Sequence, residues 1–267
     1  MDADAFQPLE EPLSNHTSAR FQSKHRRFRR IFARLRAESR SRPTVRGVFA
    51  IFFDGSTVMR TDQMPHLPDS LPVIILEKCN VFPKGLLPLY IFESRYQAML
   101  TEALASHRMF CVATVNPDQL PELNAPPVFP HSTASLIRAC IGNEDGTSHL
   151  ILEGRKRVRF IDWDDSRPFW QARIETVPTR DDDPARTAEL AGQALKLVRG
   201  FIARGLEINE PLVGHLDALS TPEDIADFLG YHFLANPMDR QPLLGMTSLT
   251  ERLEFLITSL GALASET

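Results

Sequence analysis

Apolar positions along this chain follow two different periods, and the switch between them divides the part that reads as folded. From Leu71 to about Val177 they fall in short alternating or continuous runs separated by turn residues, which is the mark of strands. The strands predicted are Pro72–Leu76, Leu86–Ile91, Phe110–Val115, Leu136–Ile141, His149–Glu153, Arg157–Trp163 and Trp170–Val177. Between the second and third, Tyr96, Met99, Leu100, Ala103 and Leu104 repeat at the spacing that gives a helix one apolar face. The segment Gly142-Asn143-Glu144-Asp145-Gly146 predicts a hairpin, because Gly and Asn accept positive φ at little steric cost. After Asp181-Asp182-Asp183 the period becomes 3.6. Asp183-Pro184 reads as an N-cap followed by a proline already at helical φ, with Leu190, Ala194, Leu197 and Phe201 as the stripe behind it. Thr221-Pro222-Glu223-Asp224 repeats that start, and Ile225, Phe228, Leu229 and His232 are expected on its buried side. Ser248-Leu249-Thr250-Glu251 matches a capping box, and Leu249, Leu253, Leu256 and Leu260 continue a last helix.

Residues 1–69 show no clean periodicity, and their mix of Pro, Ser, Asn and Arg buries too little apolar surface to offset the entropy of ordering. The organisation expected is therefore a disordered basic arm over 1–69, a β-rich domain over 70–180 and a helical subdomain over 181–267. Charge sharpens this division. Residues 20–46 hold eleven Lys and Arg against one acid, Glu38, so that segment is +10 and the remainder −14 within a net charge of −4. Phe21, Phe28, Ile31, Phe32 and Leu35 recur among the arginines at roughly helical spacing. A basic amphipathic helix there would meet an anionic membrane surface, or nucleic acid through Arg26, Arg27, Arg29 and Arg30. A translation start placed too far upstream yields the same arm, with Met59 or Met64 as the true beginning.

Composition removes whole classes of function. With 267 residues and 43% hydrophobic content the chain can bury a real core. Its longest apolar run, Val48 to Phe53, falls far short of the roughly 20 residues a membrane helix needs. Asp2, Asp4, Glu10 and Glu11 replace the positive start of a secretory signal, so a cytoplasmic protein without a transmembrane segment is expected. Cys79, Cys111 and Cys140 lie about thirty residues apart, which suits small buried hydrophobes and not a zinc site. The chain contains no Gly-Lys pair and hence no phosphate-cradling loop, no H-E-x-x-H and no G-x-S-x-G. Asp162, Asp164, Asp165 and Asp181 to Asp183 are carboxylates in loop-like settings, expected to be solvated. The expectation is a non-enzyme with no catalytic residue, metal or cofactor.

The run Val81-Phe82-Pro83-Lys84-Gly85-Leu86-Leu87-Pro88-Leu89-Tyr90-Ile91-Phe92-Glu93-Ser94-Arg95-Tyr96 resembles the signature of the N-terminal, substrate-binding domain of Lon proteases, roughly FPxGxxPLxIFExRY. Lys84 and Ser94 depart from it at tolerant positions. Asp145-Gly146-Thr147 with Leu150 to Val158 resembles the family's hairpin and its strand ending in a G-x-x-R turn, and Asp224 to Leu229, Arg240 to Leu244 and Arg252-Leu253 resemble its closing helices. The resemblance spans about Leu71 to Leu260. It implies an α+β fold, a PUA-like β-barrel followed by a C-terminal helical bundle, in a stand-alone form without ATPase or peptidase domains.

The resemblance implies a non-catalytic module that binds unfolded or tagged polypeptides, or serves a protease partner as an adaptor. Contact is then expected where barrel meets bundle, through aromatic anchors drawn from Phe82, Tyr90, Phe92, Phe129, Trp163, Phe169 and Trp170. Most of these should be core, with no more than two functional. Glu93 and Arg95 open a helix and could pair with Arg157 or Arg159. The competing readings are an RNA- or DNA-binding protein that uses the PUA-like fold and the arm, and a homodimer formed through the terminal helix.

Overall fold

The computed structural model describes residues 67–265, leaving out 121, 123, 207 and 209. Of the expected disordered arm over 1–69, residues 1–66, with Arg26, Arg27, Arg29 and Arg30, lie outside the described residues, whereas Leu67 packs on the strand core and the Asp69 carbonyl accepts from Ile174 N–H (2.8 Å). The described residues fall in one compact unit.

Six strands and six helices are described: β1 (Ser70–Leu76), β2 (Leu86–Ile91), α1 (Ser94–Ala105), β3 (Met109–Thr114), β4 (His131–Gly142), β5 (Ser148–Asp164), β6 (Trp170–Thr176), α2 (Pro184–Ala203), α3 (Glu210–Ala218), α4 (Pro222–Phe233), α5 (Pro237–Gly245) and α6 (Leu249–Ser265). The strands form one sheet in the order β2-β5-β4-β3-β1-β6, and β5 also pairs with β6. The ladder that leaves β5 through β4, β3, β1 and β6 thus returns to β5, and β2 extends outward from it. Only β1 and β3 are parallel; every other pair is antiparallel.

The period of two sorts each strand's residues to opposite sides. Leu71, Val73, Met109, Cys111, Ala113, Ala134, Val158 and Phe160 gather in one apolar group, while Ile74, Phe110, Val112, Ile137, Leu150 and Leu152 gather in another with Tyr96, Met99, Leu100 and Ala103 of α1. Both faces of β1 and β3 are therefore buried, which explains why those strands read as continuous apolar runs. Tyr96 fixes α1 against the sheet by donating to the Ile75 carbonyl (3.3 Å) and accepting from its N–H (3.2 Å).

The helices enclose a third core of Leu190, Ala194, Val198, Ile225, Leu229, Leu243, Leu249, Leu253, Leu256 and Leu260. Asp183 and Thr221 cap α2 and α4 by accepting from the N–H groups of Arg186 and Asp224, and the Ser248 hydroxyl accepts from Glu251 N–H. Four departures from the sequence reading have local causes. The buried line of α2 runs through Thr187, Leu190, Ala191, Ala194 and Val198, which leaves Leu197 and Phe201 half-buried at its edge. His232 is on the outer side of α4 and not its buried side. Two short helices, α3 and α5, carried no clear stripe, and Pro242 inside α5 masks its helical pattern. Finally, His149–Glu153 and Arg157–Trp163 are one strand, because Gly154 to Lys156 continue the ladder instead of turning.

Gly154 is where the backbone around Phe82 crosses the sheet. Its N–H donates to the Gly85 carbonyl (2.9 Å) and its carbonyl accepts from Lys84 N–H (2.7 Å); a Cβ there would collide with the Phe82 backbone. Absence of a side chain, not a turn conformation, is what this glycine supplies.

Candidate functional site

β2 begins at a tight turn. Gly85 N–H donates to the Phe82 carbonyl (2.9 Å) across Pro83 and Lys84, and Lys84 takes φ of 62°, as the third residue of a type II turn requires. Phe82 itself is fully buried and packs into the helical core. It is a structural plug, which corrects its candidacy as a binding anchor.

The junction between sheet and helices is closed by polar as well as apolar contacts. Arg157 on β5 and Arg252 on α6 are buried, and between them lie Asp227 and Glu223 of α4 and the Thr179 hydroxyl. Arg157 donates to Asp227 and to Glu223 (3.3 Å), Arg252 donates to Thr179 (3.1 Å) and to the Met246 carbonyl (2.7 Å), and Thr179 donates to Glu223 (2.6 Å). Burial lowers both guanidiniums, Arg157 to about 9 with the help of Arg252 and Arg252 to about 10, while Glu223 opposes the shift in each. Both stay cationic at neutral pH, and two carboxylates balance two guanidiniums. Glycines complete the closure: a Cβ at Gly230 would lie 2.8 Å from Leu243 and one at Gly245 2.7 Å from His131. The expected contact surface between barrel and bundle is thus a packed seam. Glu93 pairs with Arg95 (2.9 Å), and Arg159 pairs with Glu175 (2.8 Å), so neither Glu93 nor Arg95 joins that network.

The remaining candidates fall in two places. Trp163 and Trp170 meet edge to face at 6.0 Å, with Phe160 at 4.7 Å from Trp163, half-buried against the inner core of the strands. Phe169 is buried, and Phe129 is half-buried with its N–H committed to the Thr114 carbonyl. On β2, by contrast, Tyr90 stacks with Phe92 (5.9 Å) and meets the ring of His149 on β5 at a tilt (4.6 Å). Phe92, one residue past the end of β2, is 61% exposed, and Leu86 at the start of the strand is 44% exposed. Phe92 leaves most of its ring in water beside two other rings, and exposed aromatic clusters are candidate contact surfaces.

The fold occurs in known proteins. Residues 70–261 match the family described as the ATP-dependent protease La (Lon) substrate-binding domain. The chain belongs to that family. Curated relatives include the Lon proteases of Vibrio parahaemolyticus (24% identical over 187 residues) and Escherichia coli (23% over 187 residues), each match covering 70% of this chain. The chain covers about a quarter of the length of those relatives, 24% of each. In fold it is similar to the N-terminal domain of a Mycobacterium avium complex Lon protease (TM-score 0.56, 20% identity, 72% of this chain and 98% of that one). It is also similar to a Lon N-terminal domain protein from Xanthomonas campestris (TM-score 0.51, 22% identity, 71% and 97%).

The exposed rings beside β2 and the closed seam are separate features of the fold: the rings meet water, and the seam joins sheet to helices. The seam was invisible to sequence reasoning as a unit. Its one local signal is Asp227, a carboxylate inside the apolar line of Ile225, Ala226 and Leu229. Among the described residues no three His, Cys, Asp or Glu side chains group as metal ligands, the cysteines are free, and no helix is long and apolar enough to cross a membrane. The carboxylates at 162, 164, 165 and 181 to 183 are exposed, as their settings suggested.

Proposed function

We propose that this chain is a polypeptide-recognition module that captures apolar segments of unfolded or tagged proteins on the outer face of β2, with a PUA-like barrel as its scaffold. The observation that carries the proposal is the exposure of Phe92 beside Tyr90 and His149 in a domain of the Lon substrate-binding family. Membership supports the kind of ligand, and the exposed rings support the place. Burial of a ring such as Phe92 in a partner is worth about 1.5–3 kcal/mol, enough to make it an anchor. Its removal leaves the fold intact because it supports no core. An adaptor that presents such segments to a protease partner would use the same surface.

Titration of a reduced, carboxymethylated protein against the wild type and Phe92→Ala tests this. The expected outcome is an affinity loss of about thirtyfold, matching a hot-spot cost of roughly 2 kcal/mol, with an unchanged melting temperature. Equal affinities would refute the assignment of the site.

A further inference from the structure

The backbone of β2 indicates how a segment would be read. Among the described residues β2 pairs only with β5, so its other edge is a potential template for an added strand. The Leu86 carbonyl accepts from the Tyr231 hydroxyl (3.1 Å), which turns it away from β5. In an antiparallel ladder that direction recurs at every second residue, so Pro88 and Tyr90 also present their backbone outward. Pro88 has no N–H to offer, which is why a proline is tolerated there. Of three outward positions, then, one lacks its donor and another has its acceptor occupied. Strand addition has little to grip.

Beside the rings stands the turn between β4 and β5. Ile91 pairs with Ser148 and Tyr90 with His149, so residues 143–147 flank the end of β2. Gln97 joins the two, since its amide donates to the Phe92 carbonyl (3.1 Å) and a Cβ at Gly146 would lie 3.6 Å from its oxygen. Glu144 and Asp145 are exposed on that turn. The neighbouring cation Arg95 is held by Glu93 (2.8 Å). Beyond the turn, residues 67–267 carry 18 Lys and Arg against 27 Asp and Glu, which reinforces a negative field.

Resting on the function proposed above, we propose that the β2 face reads side chains and not backbone, and that it selects unfolded segments in which a bulky apolar residue is next to Lys or Arg. The apolar side chain contacts Phe92 and Tyr90, and the cation faces Glu144 and Asp145.

Two peptide series against the full chain test the inference. In the first, the backbone amides of a Phe-Lys peptide are N-methylated at alternate residues. Affinity within about twofold of the parent is expected, and a loss of tenfold or more would establish strand addition and overturn the proposal. Tyr231→Phe releases the Leu86 carbonyl and serves as control; unchanged binding is expected, and tighter binding would count against side-chain readout. In the second series, Phe-Lys, Phe-Gln and Phe-Glu peptides are compared at low salt. A preference for Lys over Glu of about tenfold is expected, reduced by Glu144→Gln with Asp145→Asn while the Phe-Gln affinity is unchanged. Equal affinity across the series overturns the charge selection even if Phe92 proves essential. If no peptide binds in a Phe92-dependent way, the underlying functional proposal falls, and this one with it.

Discussion

At the scale of single residues, the turn into β2 shows what a sequence can and cannot disclose. Pro83 and Gly85 announce a sharp turn, and the turn is there. The strained position is the lysine between them, since a left-handed conformation costs a side chain about 1–2 kcal/mol. Lys84 also pairs with Asp224 (2.6 Å), an exposed contact worth about 0–1 kcal/mol. Asparagine tolerates positive φ better than lysine but forfeits that ion pair, so Lys84→Asn is expected to change unfolding free energy by less than about 1 kcal/mol in a denaturant titration. His232 offers a second test. It is flanked by the rings of Phe228 (4.5 Å) and Tyr231 (4.9 Å), and burial, with Arg240 and His215, holds its pKa down to about 4 from an ordinary value of 6.5. Its unfolded form binds a proton first, so its contribution to stability is complete above pH 6.5 and is lost as pH falls toward 4. The outer edge of the ring meets solvent, which limits the size of the effect. His232→Gln should flatten the fall of stability between pH 6.5 and 4 relative to wild type, and an unchanged pH profile would contradict the assignment.

At the scale of elements, local pattern located β2 to the residue and placed β1, β3 and β6 within two residues, because an apolar strand writes its period directly into the sequence. That pattern missed the first five residues of β4, His131 to Ser135, where mostly polar side chains carry no apolar signal. It divided β5 in two because a glycine followed by charges looks like a turn. Only the third dimension shows that the Phe82 backbone crosses at Gly154. Gly154→Ala therefore places a methyl group against main chain that cannot yield, and a loss near the upper end of about 1–3 kcal/mol is expected on thermal or chemical unfolding. The ionic seam was illegible for another reason: Arg157 and Asp227 are 70 positions apart, and no periodicity links them. Asp227→Ala would leave two buried guanidiniums with one half-exposed carboxylate, and a destabilisation of about 3–5 kcal/mol is expected. Replacing Arg157, Asp227 and Arg252 together with apolar residues of similar volume should cost far less, because the desolvation of the charges disappears with them. Unfolding midpoints of the single and triple variants measure that difference.

At the scale of the whole molecule, a closed seam between sheet and helices stands apart from an exposed aromatic patch. Family membership and the α+β character were readable from residues 81–96 and from the change of period near residue 181. The candidate site was readable only in part. Sequence can name aromatics, but burial sorts them: Phe82 and Phe169 are interior, Trp163, Trp170 and Phe129 half-covered, and only Tyr90 and Phe92 form a stack that opens to water. The most direct test of the central claim is amide hydrogen exchange of the chain with and without a saturating unfolded polypeptide. Slowed exchange confined to residues 86–92 and 143–149 is the result expected. Protection elsewhere, with those two segments unchanged, would contradict it.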